Sequence, residues 1–194
     1  MKLHNTLTDL FESVRDKNRE IRFIDGENKE SIISFQDLWT KSLKLLGILQ
    51  ARGMVPGDEL IIFSNSNENF VTAFWAAIFG GMIPVPVAVG ISDEHRFKLF
   101  RIIDQLNNAT LFTEEDLLIR LEEFSKKNKF EGFKKTLLNR AIFINENNFD
   151  NLGKIHKSKK NDIGFIQYSS GSTSDPKGVV LSHQNVCTNI RAIV

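Results

Sequence analysis

Four short apolar runs recur along this chain: Leu60-Ile61-Ile62-Phe63, Ile83 to Val87, Ala109-Thr110-Leu111-Phe112 and Ala141-Ile142-Phe143-Ile144. Between the first three lie longer stretches in which apolar residues return every three or four positions. Runs without polar alternation suit strands buried on both faces, and the intervening period suits amphipathic helices. Parallel neighbours need long crossovers, so the alternation points to an α/β domain with a largely parallel sheet flanked by helices. A length of 194 residues, 41% hydrophobic and 25% charged, suffices for one domain or a little more with a sizeable core. Sixteen phenylalanines against one tyrosine indicate a large apolar interior.

Local signals place the remaining elements. Leu3, Leu7, Leu10, Phe11 and Val14 have helical spacing. Ile21 to Ile24 and Ser31 to Ile33 flank Asp25-Gly26, a hairpin signal. Ser34 is a helix cap with Asp37 in the first turn, and that helix runs to about Arg52, with Gly53 as its stop. Pro56-Gly57-Asp58 turns the chain into the run at Leu60. Phe70 to Ile91 is uncharged and long enough to span a bilayer, but Gly80-Gly81, Pro84 and Pro86 interrupt it. A helix from about Glu68 to Phe79 and a strand near Ile83 to Val87 explain it better. Glu94 to Asn107 reads as a helix. Thr113 to Asp116 offers caps for another through about Lys127, and Asn145 to Lys160 reads as a loop with His156 solvated.

The most informative polar stretch is Tyr168-Ser169-Ser170-Gly171-Ser172-Thr173-Ser174-Asp175-Pro176-Lys177-Gly178-Val179. Ile163 to Tyr168 before it reads as a buried strand, and Val179 to Leu181 after it as a shorter one. Glycines let backbone N–H groups turn toward an anion, hydroxyls add short donors, and Lys177 adds one compact positive charge. The loop therefore suits a polyphosphate. It is not a Walker A loop, because Pro176 falls where the second glycine belongs and Gly178 follows Lys177. It also lacks the G-x-G-x-x-G of dinucleotide-binding folds.

The segment resembles the phosphate-binding loop of the adenylate-forming superfamily: acyl-CoA synthetases, fatty-acyl-AMP ligases, adenylation domains of nonribosomal peptide synthetases, and luciferases. The match holds at Ser170, Gly171, Ser172, Thr173, Pro176, Lys177, Gly178 and Val179. It departs at Ser174, where the family usually has glycine, and at Ser169, which replaces a common threonine. Ala76 to Pro86 and the Ser34-to-Leu60 region resemble shorter motifs of the same superfamily. The resemblance implies binding of ATP through Ser169, Ser170, Gly171, Ser172, Thr173, Ser174, Lys177 and Gly178, with Mg2+ bridging the phosphates. Lys177 would either contact phosphate or fix the loop. His183 has two readings: a residue near the acyl-substrate side, as in the family's S-H-x-N, or a polar residue in a helix's first turn.

The superfamily joins a carboxylic acid to the α-phosphate of ATP and passes the acyl group to CoA or an acyl-carrier protein. The resemblance covers residues 1–194 as the N-terminal part of an AMP-binding domain. The nucleotide and acyl pocket, the lid domain and the catalytic residues are then expected downstream, with none in this stretch. Gln167-Tyr168 is similar to the fatty-acid-activating branch. An amino-acid-activating domain and a non-catalytic nucleotide-binding or scaffold module remain the alternatives, the latter on account of Ser174. A net charge of +1 gives no reason to expect a nucleic-acid partner, and the single Cys187 is consistent with a reducing, cytoplasmic location. His4, His95 and His156 lack ligand spacing, so no metal cluster is expected. Residues 1–194 in isolation are expected to form no AMP in a carboxylate-dependent assay. They are also expected to self-associate through uncovered apolar surface, which light scattering across concentrations would detect.

Overall fold

The computed structural model describes residues 4–25, 29–90, 92–107, 109–130, 141–143, 151–169 and 175–193. Helix α1 (Leu7–Glu12) is followed by the antiparallel pair β1 (Glu20–Asp25) and β2 (Lys29–Ser34). Next come α2 (Phe35–Ala51), β3 (Glu59–Phe63), α3 (Asn67–Gly80), β4 (Ile83–Pro86), α4 (Asp93–Gln105), β5 (Thr110–Thr113), α5 (Glu115–Lys127) and β6 (Ala141–Ile142). A second antiparallel pair, β7 (Ile163–Ser169) and β8 (Lys177–Ser182), leads into α6 (His183–Ile193).

Strands β4-β3-β5-β6 form one sheet, parallel throughout. Alternation along each strand divides the core into two layers. Leu60, Ile62, Phe112 and Ile142 face α2 and α3. Ile61, Phe63, Leu111 and Ala141 face α4 and α5, where Leu99, Ile102, Leu117 and Leu121 meet them. The α2–α3 layer holds an aromatic cluster in which Phe11 meets Trp75 edge-on at 4.5 Å and Trp39 meets Phe79 at 4.4 Å. On the other face, Phe100 stacks on Phe124 and Phe130 at 5.6 and 4.9 Å.

The helix boundaries follow local chemistry. The hydroxyls of Thr6, Ser34 and Ser66 accept the N–H groups of Asp9, Asp37 and Asn69. Helix α2 ends at Arg52 before Gly53, and α3 ends at Gly81 in the left-handed region. Among the described residues no helix is long and apolar enough to cross a membrane, because α3 ends before β4 begins.

Three local expectations are corrected. The strand at Ile163 is not buried: in the hairpin only Gly164 is, and Ile163, Val179 and Val180 are 38%, 51% and 55% exposed. His156 is not simply solvated but half-buried. Residues 151–159 lie across α2 and α3, with the Gly153 N–H donating to the Leu43 carbonyl (2.7 Å) and the His156 N–H to that of Phe79 (2.7 Å). A Cβ on Gly153 would come within 2.6 Å of the Gly47 nitrogen, so this crossing depends on two facing glycines.

The third correction concerns the start of α5. Its N-cap residue is Glu114, and no side chain caps it. The Glu114 carboxylate instead reaches across the sheet, accepting from the Ser64 hydroxyl, the Asn65 N–H (3.1 Å) and the Asn69 amide (3.5 Å). Ser64 and Glu114 follow β3 and β5, the point where the connections leave to opposite faces of the sheet. Open α/β sheets commonly take ligands there; here the chain's own carboxylate fills it. Glu114→Ala is expected to lower the unfolding free energy by about 1–3 kcal/mol, the worth of hydrogen bonds to a charged group. Urea titration would measure this, with exposed Glu115→Ala as a control expected within about 0.5 kcal/mol of the parent.

Candidate functional site

The hydroxyl- and glycine-rich stretch connects β7 and β8. Ser169 pairs with Lys177, Tyr168 with Gly178 and Gln167 with Val179. Strand β8 therefore begins earlier than the apolar pattern implied, and Lys177 and Gly178 belong to the ladder. Ser169 and Lys177 are exposed and face each other across the mouth of the connection. A hydroxyl and an ammonium group in that arrangement are donors suited to an anion. Ser170, Gly171, Ser172, Thr173 and Ser174 lie outside the described residues.

Gly178 has a packing reason to be glycine. A Cβ there would meet the Tyr168 ring and the Ile166 side chain at 3.1 Å, tighter than ordinary contact. The Tyr168 ring thus lies against bare backbone at its ladder partner. Burial, with the Glu59 carboxylate as a second cause, raises the Tyr168 pKa, so its phenol stays protonated at neutral pH.

The hairpin runs beside the sheet, next to β4 and α4. A cleft of about 330 Å3 separates them, lined by Val87, Ala88, His95, Lys98, Phe165 and Tyr168 among others. His95 is held by its Nδ1 at 2.7 Å from the Ser92 hydroxyl, and its ring sits where a Cβ on Gly90 would be. Gln105, on the last turn of α4, donates to the Pro176 carbonyl at 3.1 Å. Helix α4 returns from the end of β4 to the start of β5, so this contact puts the exit of the connection at the edge where the parallel strands begin. That is the opposite edge from Glu114. The α4 contacts went unrecognised in the sequence, although His95, Lys98, Ile102 and Gln105 share helical spacing along one stripe.

His183 lies apart from the loop. Ser182 pairs with Ile163 at the other end of the ladder, about 17 Å from Lys177 along the strand. His183 is 2% exposed, and its Nδ1 accepts the Leu7 N–H at 3.2 Å, joining the chain's first helix to its last. Arg191 adds a second tie by donating to the His4 carbonyl. An Nδ1 that accepts must be unprotonated, so the ring carries its proton on Nε2. The geometry is that of a structural clasp; the described residues bring His183 to no other candidate. Cys187, one turn on, is buried in the α2–α3 layer. Among the described residues no group of three or more His, Cys, Asp or Glu could hold a metal ion.

Burial lowers the His183 pKa below its ordinary value of 6.5, with Asp162 and Asp9 partly offsetting this. The unfolded chain then binds a proton that the folded one refuses, between 6.5 and the lowered value. Stability is complete above that window and falls as pH drops through it. Chemical denaturation at a series of pH values is expected to show this loss, and His183→Gln to flatten it.

The family described as AMP-binding enzyme matches residues 10–194. Acyl-CoA synthetase 7 of Caenorhabditis elegans is 27% identical over 198 residues, covering 94% of this chain and 35% of that protein. The long-chain-fatty-acid–AMP ligase FadD32 of Mycobacterium marinum is 22% identical over 184 residues, covering 93% of this chain and 29% of that one. The structure of McyG A-PCP complexed with phenylalanyl-adenylate superposes with a TM-score of 0.86 at 27% identity, over 97% of this chain and 30% of that one. The fatty acid AMP ligase from Legionella pneumophila gives 0.79 at 25% identity, over 98% and 32%. The chain thus spans about a third of the length of these relatives.

Proposed function

This chain belongs to the AMP-binding enzyme family, and from that premise we propose that it is the N-terminal part of an ATP-dependent carboxylate-activating ligase. The acid's carboxylate oxygen bonds to the α-phosphorus of ATP, the bridge to the β-phosphate breaks, and pyrophosphate leaves. The observation that carries this reading is the pairing of Ser169 with Lys177, which closes a hydroxyl- and glycine-rich connection at both ends.

In this reading Ser169, Ser170, Gly171, Ser172, Thr173, Ser174, Lys177 and Gly178 form the phosphate loop. Hydroxyl and backbone N–H donors bind the β- and γ-phosphates, and Lys177 balances charge. Mg2+ bound with ATP would supply further charge neutralisation at the phosphates, and its protein ligand is expected in the other two-thirds of the relatives' length. The remaining nucleotide and acyl pocket, the lid and the acceptor site for CoA or a carrier protein would lie in the other two-thirds of the relatives' length.

Fatty acids are the favoured substrates. Gln167-Tyr168 resembles that branch, and relatives named for fatty-acid activation in Mycobacterium marinum and Legionella pneumophila align over more than nine-tenths of the chain. A second reading, amino-acid activation, draws support from the McyG superposition. The two separate in carboxylate-dependent ATP–pyrophosphate exchange by the complete protein, tested with fatty acids of several lengths beside a panel of amino acids. Exchange with fatty acids is expected; exchange with one amino acid alone would move the chain to the second reading. A folded protein giving no exchange would leave a non-catalytic module, with Ser174 the first position to examine. Lys177→Ala is expected to leave stability within about 0.5 kcal/mol of the parent, since the side chain is exposed. It should weaken ATP binding about tenfold or more, the loss of one charged hydrogen bond.

A further inference from the structure

Helix α4 does more than cover the sheet. Its stripe of His95, Lys98 and Ile102 lines the cleft against Phe165, Gln167 and Tyr168, and Gln105 continues it. The Gln105 Nε2–H bond to the Pro176 carbonyl is a half-buried contact between residues 71 positions apart.

Its target matters. Pro176 has no N–H to contribute to a ladder, and among the described residues the β7–β8 ladder reaches the Ser169–Lys177 pair. The exit limb's carbonyl at Pro176 is held by α4 through the Gln105 bond. A two-stranded hairpin is marginal by itself, so an anchor on a packed helix decides where its end points. Lys177 follows the anchored carbonyl directly, so fixing Pro176 fixes the peptide from which the lysine projects.

We propose that Gln105 is a positioning residue for nucleotide binding: its amide holds the Pro176 carbonyl so that the exit of the phosphate loop and Lys177 are set before ATP arrives. Gln105 itself touches no nucleotide and acts through Pro176. The inference rests on the phosphate-loop reading given above. Only a donor of sufficient reach can do this work. Methionine has the length without the donor, glutamate has the shape with only acceptors, and histidine restores an N–H.

The test uses the complete protein. ATP affinity is measured by calorimetry, and pyrophosphate exchange is titrated separately in ATP and in acid. Gln105→Met is expected to raise the Kd and KM for ATP about fivefold, the worth of one ordinary hydrogen bond. The KM for acid and the Tm should stay at the parent values, and Gln105→Glu should be at least as impaired as Gln105→Met. Gln105→His should recover most of the loss. An unchanged ATP affinity in a folded Gln105→Met protein would overturn the proposal. So would a parallel rise in both KM values with a lowered Tm, which marks a general structural role. If the parent protein binds ATP but exchanges with no acid, the ligase reading fails while the calorimetric comparison still decides the role of Gln105. If the parent does not bind ATP at all, the phosphate-loop reading and this inference fall together.

Discussion

Strand β3 turns Leu60 and Ile62 to one helical layer and Ile61 and Phe63 to the other, and all four are buried. A strand with no face for water needs helices on both sides, and it needs parallel neighbours whose crossovers supply them. Helices α2 and α3 take one face and α4 and α5 the other, with β4 and β5 alongside in register. The connections after β3 and β5 therefore part to opposite faces, and the course of α4 back to the edge where strands begin follows from the same arrangement.

The two edges of the sheet then diverge in character. At the edge where strands end, Glu114 ties the β3 and β5 exits together through Ser64, Asn65 and Asn69. A carboxylate satisfied by several donors at that point rigidifies the sheet and leaves those donors unavailable to an anion. At the other edge, α4 ends on the Pro176 carbonyl and the β7–β8 ladder opens into the hydroxyl- and glycine-rich connection. A doubly wound sheet is thus used as a support, with the phosphate-binding candidate on an added hairpin.

Helices α1 and α6 meet in a single clasp. His183 accepts the Leu7 N–H while Arg191 reaches the His4 carbonyl, so α1 is held to α6. Helix α1 brings Phe11 into the cluster with Trp39, Trp75 and Phe79. The hairpin, α6 and α1 are in this way coupled through the neutral His183 imidazole and the Arg191 guanidinium.

The sequence by itself determined whatever depends on neighbours a few residues apart. The caps at Ser34 and Gly53, the helix-then-strand reading of Phe70 to Val87 and the parallel sheet were all legible, because spacing and turn chemistry act locally. The family was legible because the stretch from Ser170 to Val179 matches its loop pattern at most positions, Ser174 departing from it. Only the tertiary structure decided which surfaces those elements cover. It left the hairpin's Val179 and Val180 exposed although their composition reads as core. It turned Glu114 from a helix cap into a cross-sheet tie, buried His183 against Leu7, and set Gln105 on Pro176. Each of these joins residues dozens of positions apart, and such contacts are fixed by packing and solvation across elements, which no local pattern encodes.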